Sequence, residues 1–365
     1  MSTALRQGYL LIADISGYTS YLAKTELDHA HEIISDLLEI ISGKIQSLLN
    51  ISKYEGDAVF AFVDERSIER PELLLELVED TYAAFRRRID ASNRRTLCLC
   101  NACQSMSTLD LKFFLHKGAF VLRKIGNSFD LIGHDVNLIH RLTKNSLSKT
   151  RGWRGYMMMT RSALSALSVM NNGMISQNEE YEDVGNVETF AADLHPQYEA
   201  LLSRRLYVLD EQQAHHVFRA QANAPASLVW EWLHNPKKRA ELQKMTIVAA
   251  KRIDGRMKQG AVNHCIHGKE MIVEEIIDWK PFEYWSLSQK GNFGEIHDDG
   301  ELKEENGVTA IRIYSRLDLK YKFLSIFSRP LMKFLARIYH IDEMITTMIR
   351  FAEEEWKMKN ESVIT

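Results

Sequence analysis

The sequence predicts an α+β protein of two domains, and three observations carry that reading. In the first part of the chain, short apolar runs alternate with stretches of helical periodicity. After about residue 215, strand-like segments follow one another and a single long helical stretch closes the chain. Tryptophan divides the same way: Trp153 stands alone in the first part, whereas Trp230, Trp232, Trp279, Trp285 and Trp356 all follow residue 215. The polar stretch 210–216 places the boundary near residue 213, giving domains 1–212 and 213–365.

In the first domain, residues 8–13 form an apolar run bounded by Gly8 and Gly17, as expected of a buried strand. Ile33, Ile34, Leu37, Leu38, Ile41, Ile45 and Leu48 then recur at three- and four-residue intervals, the face of a long helix. Residues 53–63 read as a hairpin turning at Glu55-Gly56-Asp57. Pro71 opens a second helix with Leu74, Val78, Tyr82, Phe85 and Ile89 inward. Residues 109–121 and 156–160 are strand-like, and 136–144 and 161–169 helical. Residues 205–209 read as a further strand. In the second domain a strand at 217–222 leads into a helix near Pro225. Six strand-like segments follow at 246–252, 261–267, 270–279, 283–289, 295–304 and 309–317, before a closing helix at 331–356.

Composition limits the function classes. The chain has 365 residues with 46 Lys and Arg against 49 Asp and Glu, a net charge of −3, so no basic footprint for nucleic acid is present. No run approaches the roughly 18 apolar residues of a membrane crossing, and Asp14 interrupts the opening apolar run, unlike a signal peptide. A cytoplasmic protein is expected. Four cysteines are too few for a disulfide scaffold.

Three segments carry chemistry. Asp14 ends a buried strand and is followed by Gly17-Tyr18-Thr19, a turn whose backbone amides could hold phosphate while Asp14 holds a divalent cation. The alternative is a helix cap. Asp57 follows Gly56 in a hairpin turn, with Lys53 four residues earlier; two carboxylates on adjacent elements suit Mg²⁺ and substrate phosphates, although Gly-Asp is also a common turn. In the third, Asp130 precedes Asn137 and Arg141, whose four-residue spacing puts amide and guanidinium on one helix face.

Together these segments resemble the catalytic core of the class III nucleotidyl cyclases, ferredoxin-like domains that form a 3′,5′-cyclic nucleotide from a nucleoside triphosphate. The similarity spans about residues 7–210. The resemblance implies that Asp14 and Asp57 hold two Mg²⁺ or Mn²⁺ ions, Lys53 and Asp130 read adenine, Asn137 positions the ribose and Arg141 stabilises charge on the α-phosphate. Adenine offers an acceptor at N1 and a donor at N6, which a Lys with an Asp matches, so ATP is the implied substrate and cyclic AMP with pyrophosphate the products. It also implies a head-to-tail homodimer, because metal-binding and base-binding residues come from different subunits. Arg204, Arg205 and Lys144 are candidates for the triphosphate tail. The alternative is a catalytically silent cyclase fold that binds nucleotide or serves as a ligand-responsive module.

Cys98, Cys100 and Cys103 stand outside that pattern. Three thiolates could bind a structural zinc, with His116 or another residue as fourth ligand, or remain reduced thiols. The second domain resembles the START-like, polyketide-cyclase-like helix-grip superfamily over about residues 215–360, through residues 224–236, the strand run and the final helix. That resemblance implies an apolar small-molecule ligand beneath the last helix. Met332, Phe334, Leu335, Ile338, Met344, Ile345, Met348 and Ile349 are candidates to line its cavity, or to pack as core.

Overall fold

The computed structural model describes residues 5–95, 100–125, 128–202, 205–268, 270–292 and 294–364. The chain divides into two compact units, Met1–Ser203 and Arg204–Thr365, both mixed α+β.

Unit 1 begins with β1 (Leu5–Ser16), α1 (Tyr18–Leu22), α2 (Leu27–Gln46), β2 (Asn50–Glu55), β3 (Ala58–Asp64), α3 (Leu73–Arg95), α4 (Asn101–Ser105) and β4 (Asp110–Ile125). It continues with β5 (Ser128–Ile132), α5 (His134–Leu142), α6 (Leu147–Arg151), β6 (Tyr156–Thr160), α7 (Arg161–Leu167), β7 (Ile175–Tyr181), β8 (Gly185–Asp193) and α8 (His195–Leu201). The strands form an eight-stranded sheet in the order β2-β3-β1-β4-β6-β8-β7, with β5 paired to β4. Within it, β2-β3-β1-β4 is wholly antiparallel, the ferredoxin-like order of a split βαβ unit.

Both faces of β1 are covered, which is why its sequence is a continuous apolar run. Tyr9, Leu11, Ala13 and Ile15 pack with Ile34, Leu37 and Ile41 of α2 and Val78, Phe85 and Ile89 of α3. Leu10 and Ile12 face the other way, onto Phe60, Phe62 and the Val136, Ile139 and Leu142 stripe of α5. At about 1.5–3 kcal/mol for each fully buried large apolar side chain, the two layers fix the register of β1, and with it the depth of Asp14.

Unit 2 comprises β9 (His216–Ala222), α9 (Ala226–His234), α10 (Pro236–Gln243), β10 (Thr246–Lys251), β11 (Val262–His267), β12 (Glu270–Lys280), β13 (Tyr284–Lys290), β14 (Gly294–Glu305), β15 (Val308–Leu319), α11 (Ser328–Ile338) and α12 (Ile341–Ile364). Its seven strands form one antiparallel sheet, β10-β11-β12-β13-β14-β15-β9. Trp230 is fully buried with its ring 4.6 Å from Trp279 and 5.7 Å from Trp285. The interior also holds charge: Arg239 donates to both carboxylate oxygens of buried Glu274 at 3.0 and 2.7 Å, and Asn263 donates to the same group at 2.8 Å.

Two expectations are corrected. Residues 205–209 are not a strand, because carboxylates of the sheet take their backbone donors: Leu206 N–H donates to Asp278 at 2.6 Å and Leu209 N–H to Asp299 at 2.7 Å. The closing helix is two helices. His340 adopts a left-handed φ of 49° and ends α11. The break lets α11 pack on β15 while α12 packs on α9 and β9. Of the residues expected to line a cavity, Met332, Ile345, Met348 and Ile349 are buried, whereas Phe334 and Ile338 are exposed.

Candidate functional site

Asp14 sits near the C-terminal end of β1, in register with Ala58 of β3 and Lys112 of β4. Asp57 lies in the β2–β3 turn, where Gly56 takes the positive φ of 66° and Ile15 N–H donates to the Asp57 carbonyl at 3.2 Å. Burial first, then the negative charge of Asp14, pushes the Asp57 carboxyl up to about 6. Burial also raises Asp14, against the lowering effect of the Lys112 ammonium at 3.4 Å from its Oδ1. The structure therefore brings the two carboxylates into one field, with the Lys112 ammonium beside Asp14 as their partial counter-charge.

Gly17 turns the chain directly after β1 with φ 89°. A side chain there would meet the Arg154 guanidinium at 2.5 Å and the Thr108 carbonyl at 3.0 Å. Tyr18 packs against the core and Thr19 is exposed. Arg154 donates to the Thr108 carbonyl and so sets a cation beside this turn, which the sequence did not reveal.

Lys53 and Asp130 come together from β2 and β5, with Nζ 3.7 Å from Oδ1. Lys53 is also 2.9 Å from Glu55, two residues along the same strand face, and its ammonium is held above its ordinary pKa first by that contact. Glu55 in turn lies 3.2 Å from Nδ1 of His140, whose ring stands edge-on to Phe60 at 4.8 Å. Burial lowers the His140 pKa. Phe60 thus has the Lys53 ammonium 5.9 Å from its ring centre as well as the His140 ring against it.

Asn137 and Arg141 project from the exposed face of α5 into a cleft of about 400 Å³ shared with His134, His140, Lys144, Asp183 and Val184. Arg141 donates to Asp183 at 2.7 Å. Lys144 shares the cleft, whereas Arg205 belongs to unit 2, where it bonds Asp299; Arg204 lies outside the described residues.

Cys98 also lies outside the described residues. Cys100 and Cys103 sit at the start of α4, and their sulfurs and a ring nitrogen of His29 all lie within 4.8 Å of one another. His116 is not their partner. It is buried on β4 with Nδ1 2.8 Å from the Thr160 hydroxyl and Nε2 3.4 Å from Asp135, so its ring is committed between β6 and α5.

Residues 34–151 match the family described as "Protein of unknown function (DUF2652)". The "Uncharacterized protein Rv2561/Rv2562" of Mycobacterium tuberculosis is 25% identical over 162 residues, 44% of this chain and 73% of that protein. Among solved structures, the guanylyl cyclase Cya2 is 18% identical with a TM-score of 0.41, covering 52% of this chain and 93% of that one. The adenylyl cyclase CyaB from P. aeruginosa is 15% identical with a TM-score of 0.39, covering 52% of this chain and 95% of its own. A bacterial light-regulated adenylyl cyclase is 14% identical with a TM-score of 0.41, at 55% and 58% coverage. Among the described residues, no helix is long and apolar enough to cross a membrane.

Proposed function

We propose that unit 1 is an adenylyl cyclase domain that converts ATP to 3′,5′-cyclic AMP and pyrophosphate in a head-to-tail homodimer. The observation that carries this reading is the meeting of Lys53 and Asp130, two residues remote in sequence whose donor and acceptor match adenine N1 and N6. Asp14 and Asp57 supply the second half of the argument. Their raised carboxyl groups fit a cation that the fold family implies, and they are the residues that would hold it. Bound there, Mg²⁺ or Mn²⁺ would supply positive charge that eases ionisation of the ribose 3′-hydroxyl and offsets the charge of the phosphates.

The chain's own groups do the rest. Asn137 orients the ribose, and Arg141, released from Asp183, bonds the α-phosphate as charge accumulates on it. The 3′-oxygen forms its bond to the α-phosphorus while the bond to the β-phosphate oxygen breaks; the hydroxyl proton goes to solvent and pyrophosphate leaves. Arg154, beside the Gly17 turn, and Lys144, in the cleft of Arg141, are the candidates to meet the leaving phosphates. Unit 2 serves in this reading as a helix-grip domain that takes an apolar ligand among Met332, Ile345, Met348 and Ile349.

A second reading, nucleotide binding without turnover, is favoured by one observation: Lys112 already neutralises Asp14. Incubating the purified chain with ATP and Mn²⁺ separates the two. Cyclic AMP formation that Asp57→Ala abolishes supports the cyclase; ATP binding with no cyclic AMP supports the silent module.

A further inference from the structure

We propose that His29, Cys100 and Cys103 form a zinc site that fastens α4 to the first turn of α2. His29 Nδ1 lies 3.1 Å from Cys100 Sγ, and all three donor atoms fall within 4.8 Å of one another. Tetrahedral zinc with bonds of about 2.0–2.3 Å sets its ligand atoms roughly 3.5–4 Å apart, so small side-chain rotations would bring these three donors onto one ion, with a fourth position left to water or another side chain. The donors are one imidazole and two thiols, a combination that selects zinc over the hard cations suited to Asp14 and Asp57. Neither cysteine is in a disulfide.

The surrounding contacts hold the ligands in place independently of any metal. Glu26 precedes α2, and its carboxylate accepts from Asn101 N–H at 3.3 Å, Asn101 Nδ2 at 3.2 Å and Ala102 N–H at 3.1 Å. Tyr21 donates to the Ala102 carbonyl at 3.0 Å. Cys100 caps α4, and Cys103 N–H donates to its sulfur at 3.4 Å. His29, in the first turn of α2, therefore faces a helix start that is already tethered. The tethered segment runs on to Thr108, whose carbonyl abuts Gly17 and Arg154, so metal would brace the backbone behind the turn that follows Asp14.

The full chain, purified under reducing conditions from zinc-supplemented medium, should carry about one zinc per chain by elemental analysis, and Co²⁺ exchanged into it should show a thiolate-to-cobalt charge-transfer band. His29→Ala removes an exposed imidazole, and circular dichroism will show that the fold is kept. Zinc affinity should fall tenfold or more, on the order expected for a lost ligand or ligand support. Cys100→Ser should abolish the cobalt band, while Cys265→Ser in unit 2 should leave it intact. Stoichiometric zinc in folded His29→Ala with unchanged affinity, a folded reduced protein that takes up no zinc, or a persistent cobalt band in Cys100→Ser would each overturn the site.

Discussion

Replacing Lys112 by methionine removes the ammonium that contacts the Asp14 carboxylate while keeping most of the side chain's apolar length. The ion pair is 3.4 Å long, and both side chains are 18% exposed, so solvent screens it only in part. At an effective dielectric of about 20 the gross attraction is about 5 kcal/mol, and solvation recovered on removing the lysine offsets part of it. A net loss of about 2–3 kcal/mol is expected, because Asp14 and Asp57 then repel each other uncompensated. For a unit of this size that corresponds to a fall in Tm of about 5–10 °C. The sign with pH follows from Asp57, whose folded pKa of about 6 lies above its ordinary value of 3.8. Its protonated form is the favoured one in the fold, and loss of Lys112, which lowers that pKa, moves it higher still; the penalty should be full above the raised value and shrink as pH falls through it towards 3.8. A divalent cation would take the place of the ammonium. Mn²⁺ should therefore raise the Tm of Lys112→Met by more than it raises that of the wild type, measured by differential scanning fluorimetry at pH 7.5 with and without the metal. A metal-induced shift no larger in the variant than in the wild type would refute the assignment of this pair as a cation site.

Three further outcomes are expected. Arg239→Met leaves buried Glu274 without its bidentate partner and should destabilise unit 2 by about 3–5 kcal/mol in urea titration, whereas Arg239→Met with Glu274→Leu should recover most of that loss. His195 lies 2.9 Å from both Asp110 and Asp193, and its bond to Asp110 first, with that to Asp193, raises its pKa from 6.5 to about 9. The stability it contributes is full below pH 6.5 and is lost as pH rises through 9, so His195→Gln should flatten the decline in Tm across that interval. If the active site is shared between subunits, Asp57→Ala and Arg141→Ala homodimers should each be inactive, and mixing them should restore roughly a quarter of wild-type cyclic AMP formation; verified subunit exchange without recovery contradicts the head-to-tail arrangement.

The legible parts of this protein were those encoded at short range. The β1 run, the α2 stripe, the hairpin around Gly56 and the six strand-like segments of unit 2 each follow from a local period, and the structure contains all of them. The β7–β8 hairpin was missed because its outer strand is largely polar and its turn carries no Asn-Gly signal. The break at His340 was missed because neither Gly nor Pro marks it; the demands of two different packing partners impose it. The site divides in the same way. Lys53, Asp57, Asn137 and Arg141 could be picked out by spacing, but Lys112 becomes a neighbour of Asp14 only through strand register, and Asp183 reaches Arg141 from a hairpin 42 residues on. His29 and Cys100 are separated by 71 residues, so no local pattern could join them, and His116 attracted a ligand role that its buried position excludes.

Four cations of the candidate site are already engaged: Lys53 by Glu55, Arg141 by Asp183, Lys112 by Asp14 and Arg154 by the Thr108 carbonyl. Under the proposed function, entry of a polyanion would be a substitution in which each new contact displaces an internal one and sends a carboxylate or carbonyl back to water. A fragment that presents only a base or only a phosphate breaks some of these pairs without completing the set. Discrimination would then reside in the simultaneous exchange: a whole nucleotide would complete every replacement, while a split product would be left with incomplete ones and depart readily.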